Sequence, residues 1–340
     1  MLSLWALAAC GTYASSHYGQ PFDAGVANSA PDAPHADAGS DDVAAVADSD
    51  ETSVPLGPPY PMVLHHGFAG FRNIGPVNYF FEVASTLRAL GNTVYEAEVS
   101  PFNTPAVRAT ELAAVVDRAL AETGRARVVV IAHSQGGLDA RYLVSTLGYG
   151  DRVALLVTVA TPHRGTYVAD AVLGNAPSIT LEVATALASV LGNSLADVRT
   201  QPELREALAA LTPAACADFN RANPDDRRVV YWSWSGRSNG RTGVRACAGG
   251  RFANDPSVVD SAQLFMWPTA VLLEQGDPDQ HVNDGMVEVF SARWGLWMGC
   301  VPADHMDEVG QLVHTGANGA GWNHRDLYRT IALMARNAGF

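Results

Sequence analysis

Val128-Val129-Val130-Ile131-Ala132-His133-Ser134-Gln135-Gly136-Gly137 is the stretch from which the fold of this chain can be read. Four consecutive β-branched residues read as a central strand of a parallel sheet, apolar on both faces. The strand runs straight into a serine flanked by the small residues Ala132 and Gly136. Residues 136–147 then read as a helix. A serine at a tight strand-to-helix turn is a nucleophile elbow, G-x-S-x-G, with Ala132 here in the first glycine position. Small flanks are needed because the turn is strained and brings strand and helix close together. The elbow also sets Ser134 at a helix N-terminus, where free N–H groups and the helix dipole favour developing negative charge.

The same alternation of strand and helix continues on either side. Met62-Val63-Leu64 reads as a short buried strand running into the turn His65-His66-Gly67-Phe68. Residues 80–90 have helical periodicity and end at Gly91. Thr93-Val94-Tyr95 is the next strand, residues 111–122 a helix, and Leu155-Leu156-Val157-Thr158-Val159-Ala160 another buried strand. This pattern predicts an α/β domain over 60–340, a mostly parallel sheet with helices on both faces. Residues 11–59 are rich in Ala, Asp, Ser, Pro and Gly, contain no Arg and include Asp48-Ser49-Asp50-Glu51. Such a segment buries too little apolar surface to offset its ordering entropy, and it reads as a flexible acidic linker. Ahead of it, Leu7-Ala8-Ala9-Cys10 resembles a bacterial lipobox, although a basic n-region is missing and the apolar stretch is short. Residues 1–10 are therefore expected to be a lipoprotein-type signal segment with Cys10 lipidated. The protein is expected to be exported, as a membrane-anchored lipoprotein or in secreted form.

Composition narrows the chemistry. The 340 residues are 48% hydrophobic, enough for one large α/β core plus a tail. A formal net charge of −13 argues against nucleic acid or an anionic membrane as the main partner, since both require basic patches. All 22 basic residues are Arg. Without lysine there is no Schiff-base amine, no pyridoxal-phosphate anchor and no P-loop lysine. With Cys10 set aside, Cys216, Cys247 and Cys300 leave room for one disulfide and one unpaired thiol.

An elbow serine needs an oxyanion hole, a base and an acid. The N–H of the residue after the nucleophile, Gln135, is one expected oxyanion donor. The N–H of Phe68, in the loop after the Met62–Leu64 strand, is the other. His65 and His66 are read as structural, and His133 as a packing residue pointing to the far side of the elbow. The base and its orienting acid should follow in the order serine, acid, histidine. Asn283-Asp284-Gly285 and Asp304-His305-Met306-Asp307 supply the candidates Asp284 and His305. His281, His314 and His324 compete for the base role, Asp304 and Asp307 for the acid, and His163 ranks low because it precedes every late Asp.

Over residues 60–324 the chain resembles the Burkholderia/Pseudomonas-type bacterial triacylglycerol lipases. The resemblance is carried by Tyr60-Pro61-Met62-Val63-Leu64, His66-Gly67-Phe68, Glu98-Val99-Ser100, Val107-Arg108, the Ser134 elbow, Thr161-Pro162-His163-Arg164-Gly165, Ser233-Trp234-Ser235-Gly236, Asn283-Asp284-Gly285 and His305-Met306-Asp307-Glu308-Val309. It implies an α/β-hydrolase fold with a helical lid over about 166–212, in which 180–191 is the apolar lid segment. It implies catalysis by Ser134, Asp284 and His305 through an acyl-enzyme on acylglycerols, and it raises a lipase-specific foldase as a partner. Sister activities on polyesters, phospholipids or short soluble esters, or a non-catalytic surface lipoprotein, are the rival readings. A structural Ca²⁺ bracing the histidine loop is implied as well, with Asp307, Gln311, the Thr315 carbonyl and Asp255 as ligands and Asp260 as the fallback for the last. All are hard oxygen donors. The family cysteine after the N-D-G motif is replaced here by Phe290-Ser291. Cys247 and Cys300, which bracket the Asp255 and Asp284 loops, are expected to pair instead, leaving Cys216 free.

Overall fold

The computed structural model describes residues 59–70, 73–74, 77–174, 201–238, 247–251, 266–275, 281–311 and 321–340. Backbone contacts divide the chain into Met1–Glu51 and Thr52–Phe340, and all described residues fall in the second unit. The Cys10 and linker expectations, and residues 175–200 of the expected lid, lie outside the described residues.

Six strands form one sheet: β1 (Met62–His65), β2 (Val94–Glu96), β3 (Val128–His133), β4 (Val153–Val159), β5 (Val230–Gly236) and β6 (Leu296–Val301). Their spatial order is β2-β1-β3-β4-β5-β6, and every neighbouring pair is parallel. Parallel strands need crossovers, and the helices that make them cover both faces. The alternation of β3 shows how. Val129 and Ile131 face a core built with Leu64, Val157, Trp234, α1 (Val83–Ala89) and α9 (His324–Asn337). Val128, Val130 and Ala132 face the opposite core, built with α2 (Pro105–Thr123) and α3 (Gly136–Ser145). All five β3 residues are fully buried, and each apolar side chain of Val size contributes about 1.5–3 kcal/mol relative to exposure. The unbroken β-branched run is thus explained by burial on both sides.

Two helices start elsewhere than periodicity suggests. α1 begins at Val83 rather than near Phe80, because Glu82 sits in the left-handed region at φ 55°. The preceding Phe81 is pinned outside the helix, its N–H bonded to Val309 O and its carbonyl accepting from His324 Nε2. α2 begins at Pro105, six residues before the expected start, with Thr104 extended ahead of it. Its buried positions 105, 108, 109, 112, 115, 116 and 119 hold a helical stripe that includes Arg108. A charged residue at a core position hides that stripe from a hydrophobicity reading. α4 (Tyr167–Val172), α5 (Pro202–Ala209), α6 (Pro213–Ala222), α7 (Trp267–Glu274) and α8 (Val289–Ala292) complete the described helices. Cys247 and Cys300 form a disulfide, and Cys216 is a buried free thiol.

Candidate active site

β3 ends on His133, and Ser134 turns the chain at φ 54°, left-handed backbone that a non-glycine residue adopts only when its surroundings hold it there. The Ser134 N–H bonds Val159 O of the neighbouring strand at 2.9 Å. Gly136 is needed by its neighbours: a Cβ there would lie 2.8 Å from the carbonyl oxygens of both His65 and His66. At this flank not even a methyl fits, whereas Ala132 is accommodated inside the α2–α3 core.

Three side chains from distant loops meet at the turn. Ser134 Oγ lies 3.0 Å from His305 Nε2, and His305 Nδ1 lies 2.8 Å from Asp284 Oδ2. A carboxylate accepts only, so Nδ1 carries the proton and Nε2 is left to accept from the Ser134 hydroxyl. Asp284 is fully buried. Its second oxygen accepts the N–H groups of Met286 and Val287 at 2.8 and 2.7 Å, and its carbonyl accepts His305 N–H at 2.9 Å. The acid turn and the histidine turn are thereby clamped together. The competing residues stand elsewhere. Asp304 accepts from the N–H groups of Met306 and Asp307 at 3.0 and 2.9 Å, which shapes the turn. His281 pairs with Glu288, His324 with Phe81 O and His163 with Thr158; His314 lies outside the described residues.

The oxyanion loop is held from below. A Cβ on Gly67 would stand 2.5 Å from Ser134 Cβ, so only glycine lets the loop reach the serine. Among the described residues, the N–H groups of Phe68 and Gln135 have no backbone acceptor. Ala69 follows in the left-handed region at φ 56°, closing a turn in which Gly70 N–H bonds Gly67 O at 3.2 Å. The fully buried Arg108 reaches His66 O at 2.6 Å, Gly67 O at 3.2 Å, Ser100 O at 2.5 Å and Asp139 Oδ2 at 2.7 Å. Asp139 also meets His65 Nε2 at 2.8 Å. His65 and His66 are accordingly structural. Burial, with the Arg108 charge next, pushes the His66 pKa down to about 3, so its ring is neutral.

His133 departs from the packing role read from sequence. Its ring lies 4.5 Å, centroid to centroid, from that of His305. Both its nitrogens are engaged, Nδ1 at 2.7 Å from Tyr79 Oη and Nε2 at 3.0 Å from Glu308 Oε2. Burial pushes its pKa well below the usual value and, together with nearby Asp284 and Asp304, pushes that of Glu308 well up. Neither Tyr79 nor the polar role of His133 carries a local sequence signal. Glu308 and Arg108 fall within stretches that match the lipases but were assigned no role there.

Of the expected calcium ligands, Asp307 and Gln311 are described and buried; Asp255, its fallback Asp260 and Thr315 lie outside the described residues. Asp307 opens the short 3-10 turn Asp307–Val309, and Gly310 at φ 76° reverses the chain before Gln311. Gln311 gives its amide nitrogen to Tyr79 O at 3.0 Å. That bond orients the amide so that its oxygen is the atom turned away from Tyr79. A buried carboxylate and a carbonyl on one tight turn suit a hard cation.

A hydrogen-bonded Ser–His–Asp line at a strand-to-helix elbow, beside two N–H groups without backbone acceptors, defines the serine hydrolase class. Residues 60–294 match the alpha/beta hydrolase fold family, and the chain belongs to it. Among curated relatives it is 30% identical to a triacylglycerol lipase of Pseudomonas fragi, over 82% of this chain and 97% of that one. It is 29% identical to a triacylglycerol lipase of Burkholderia plantarii, over 77% of this chain and 81% of the relative. Among solved structures it resembles Staphylococcus hyicus lipase with a TM-score of 0.56 and 20% identity, over 86% of this chain and 99% of the other.

Proposed function

We propose that this chain, a carboxylic ester hydrolase, is a triacylglycerol lipase acting through an acyl-enzyme on Ser134. The observation that carries the reading is the line from Ser134 Oγ through His305 to the buried Asp284. His305 Nε2 takes the hydroxyl proton as Ser134 Oγ attacks the ester carbonyl. The carbonyl electron pair moves onto oxygen, where the Phe68 and Gln135 N–H groups receive it; one such donor is worth about 3 kcal/mol of barrier. Collapse breaks the acyl C–O bond, and His305 returns the proton to the leaving alcohol. Water then repeats the sequence on the acyl-Ser134 ester, with His305 as base, and releases the carboxylic acid. Asp284 holds the imidazole tautomer throughout and stabilises the imidazolium. Phe68, edge-on to Phe102 at 5.3 Å, packs with Leu138, Leu204, Leu208, Val172 and Leu173 beside the site, an apolar setting suited to an acyl chain.

The test is a p-nitrophenyl ester panel and a triacylglycerol emulsion on wild type and Ser134→Ala, together with labelling by a fluorophosphonate. Wild type is expected to be labelled at Ser134 and to prefer long chains. Ser134→Ala is expected to lose turnover by about 10⁴-fold or more. Near-wild-type turnover in Ser134→Ala would sink the reading, and a strict preference for short soluble esters would make the enzyme an esterase.

Asp307 and Gln311, with Asp255 and the Thr315 carbonyl, are proposed to hold a structural Ca²⁺ whose charge would brace the turn after His305. A chelator is then expected to lower the thermal midpoint of wild type and to leave that of Asp307→Asn unmoved. Export is proposed on the strength of the Cys247–Cys300 disulfide, a bond that persists in oxidising compartments. Lipidation of Cys10 would supply the anchor.

A further inference from the structure

Thr166 is the N-cap of α4, and its hydroxyl serves two segments at once. Oγ1 accepts the Val168 N–H at 3.2 Å, the bond an N-cap makes. A hydroxyl carries one proton, and this one goes to Met286 O at 2.6 Å, because a carbonyl only accepts. Met286 lies on the acid turn. Its carbonyl and the Val287 N–H are two ends of one planar trans peptide, so they point in opposite directions. The Val287 N–H donates to Asp284 Oδ1 at 2.7 Å. A line of bonds therefore starts at the Thr166 hydroxyl, crosses that peptide to Asp284, and continues through His305 to Ser134.

Thr166 can hold the turn because it is itself held. It is buried, and its N–H bonds Leu211 O at 2.9 Å. Gly165, just before it, lies so near the start of α6 that a Cβ would stand 2.4 Å from Pro213 N, and its carbonyl accepts from Ser291 Oγ at 2.6 Å. Within the acid turn, the bonds of Met286 and Val287 to Asp284 Oδ1, and of Asp284 N–H to Val287 O at 3.1 Å, fix the shape of residues 284–287. They do not fix where the turn stands relative to Ser134. The His305 N–H on Asp284 O and the Thr166 hydroxyl on Met286 O reach to other segments and do so. With the hydroxyl gone, the turn keeps its shape but can tilt about the remaining tie, and the carboxylate tilts with it against the imidazole. We propose that Thr166 is a positioning residue for the acid: its hydroxyl fixes the Met286–Val287 peptide and, through it, the carboxylate that orients His305. The inference rests on the roles given above to Ser134, His305 and Asp284.

Thr166→Val tests it, because the branched shape remains while the donor is removed, and Thr166→Ser puts the donor back. Active sites are first counted with a p-nitrophenyl alkylphosphonate. Then kcat and KM on a p-nitrophenyl ester are measured per counted site, with thermal midpoints alongside. Thr166→Val is expected to lose about 10-fold in kcat with KM within about twofold. Thr166→Ser is expected to recover most of that loss. Thr166→Ala, which serves if Thr166→Val does not fold, is expected to show the same split. Losing the cap of α4 lowers the midpoint of either variant in any case, so the decision falls on kcat. In an Asp284→Asn background the acid is already gone, and Thr166→Val is expected to cost little more. Wild-type turnover per counted site in Thr166→Val, with only a lower midpoint or fewer sites, would reduce Thr166 to a helix cap and overturn the proposal. So would a loss that Thr166→Ser fully shares, or one of undiminished size in the Asp284→Asn background. A wild-type enzyme that the phosphonate does not label at all would instead strike at the hydrolase reading beneath it.

Discussion

Gly236 is the residue where one methyl group should disturb the whole site. It ends β5, and its backbone is not in the left-handed region, so alanine meets no conformational objection there. Space is the objection. A Cβ would stand 2.2 Å from Glu308 Oε1, 2.4 Å from Ala303 O and 3.0 Å from Asp284 Cβ. Carbon and oxygen that are not bonded settle near 3.3 Å, so about 1 Å must be found. Glu308 cannot swing away freely, since its other oxygen is bonded to His133 and the residue is fully buried. Ala303 O belongs to the backbone two residues before His305, and Asp284 is the carboxylate bonded to His305 Nδ1. Overpacking of this kind costs about 1–3 kcal/mol of stability, and about 1 Å of misplacement in a reacting pair costs on the order of 10²-fold in rate. Gly236→Ala is therefore expected to fold with a modestly lowered urea midpoint, yet to turn over about 100-fold more slowly per site counted by phosphonate. Circular dichroism, urea titration and active-site-normalised kcat measure the two effects separately. A variant with wild-type kcat and midpoint would refute the packing of acid, base and Glu308 around this glycine.

Arg108→Lys keeps the charge but loses the planar fork. An ammonium cannot reach all of Asp139, Ser100 O, His66 O and Gly67 O. Leaving two buried acceptors unpaired is expected to cost about 2–4 kcal/mol by urea unfolding, and an unchanged midpoint would count against the anchoring role. Acid should weaken the fold. Burial holds His65, His66, His133, His163 and His324 below their ordinary value of 6.5. Below pH 6.5 the unfolded chain takes up protons that the folded one refuses, so each such histidine removes up to about 1.4 kcal/mol per pH unit. For His66 the loss continues to about pH 3. Urea midpoints should thus fall steadily from pH 7 to 5, and a flat profile would contradict these burials. Reducing Cys247–Cys300 opens a loop with a sequence separation of 53. The expected loss is about 4 kcal/mol in the chain-entropy picture, read as a urea midpoint shift with reductant that Cys300→Ser should reproduce without it.

Much of the fold was legible because strand and elbow signals are local. The β3 run declares burial on both faces, and the serine's small neighbours declare a tight turn, so a few residues define the sheet centre and the nucleophile. The meeting of Asp284 and His305 with Ser134 was legible from chain order, since the loops that carry them follow later strands. The start of α2 was not legible. Arg108 occupies a core position because four internal acceptors satisfy it, and a reading by hydrophobicity counts arginine as surface. The start of α1 is hidden for the opposite reason. Phe80 and Phe81 have the right apolar character for a helix, but the bonds of Phe81 to Val309 and His324 hold it in a loop.

His133 shows where local reasoning must fail. From sequence it is one residue in a strand whose other members are aliphatic, and strand alternation sends its side chain to the face opposite Ala132. That face is where Val129 and Ile131 pack, which is why the strand pattern offers a packing role for His133. Its partners lie 54 residues before it and 175 after it, and no spacing rule connects them. The cost of burial decides the matter. An imidazole with unpaired nitrogens in that core would lose several kcal/mol, so a histidine there implies a donor and an acceptor brought by other segments. That argument requires partners and names none of them. Only the fold could say that one is the Tyr79 hydroxyl and the other the Glu308 carboxyl, three residues past His305.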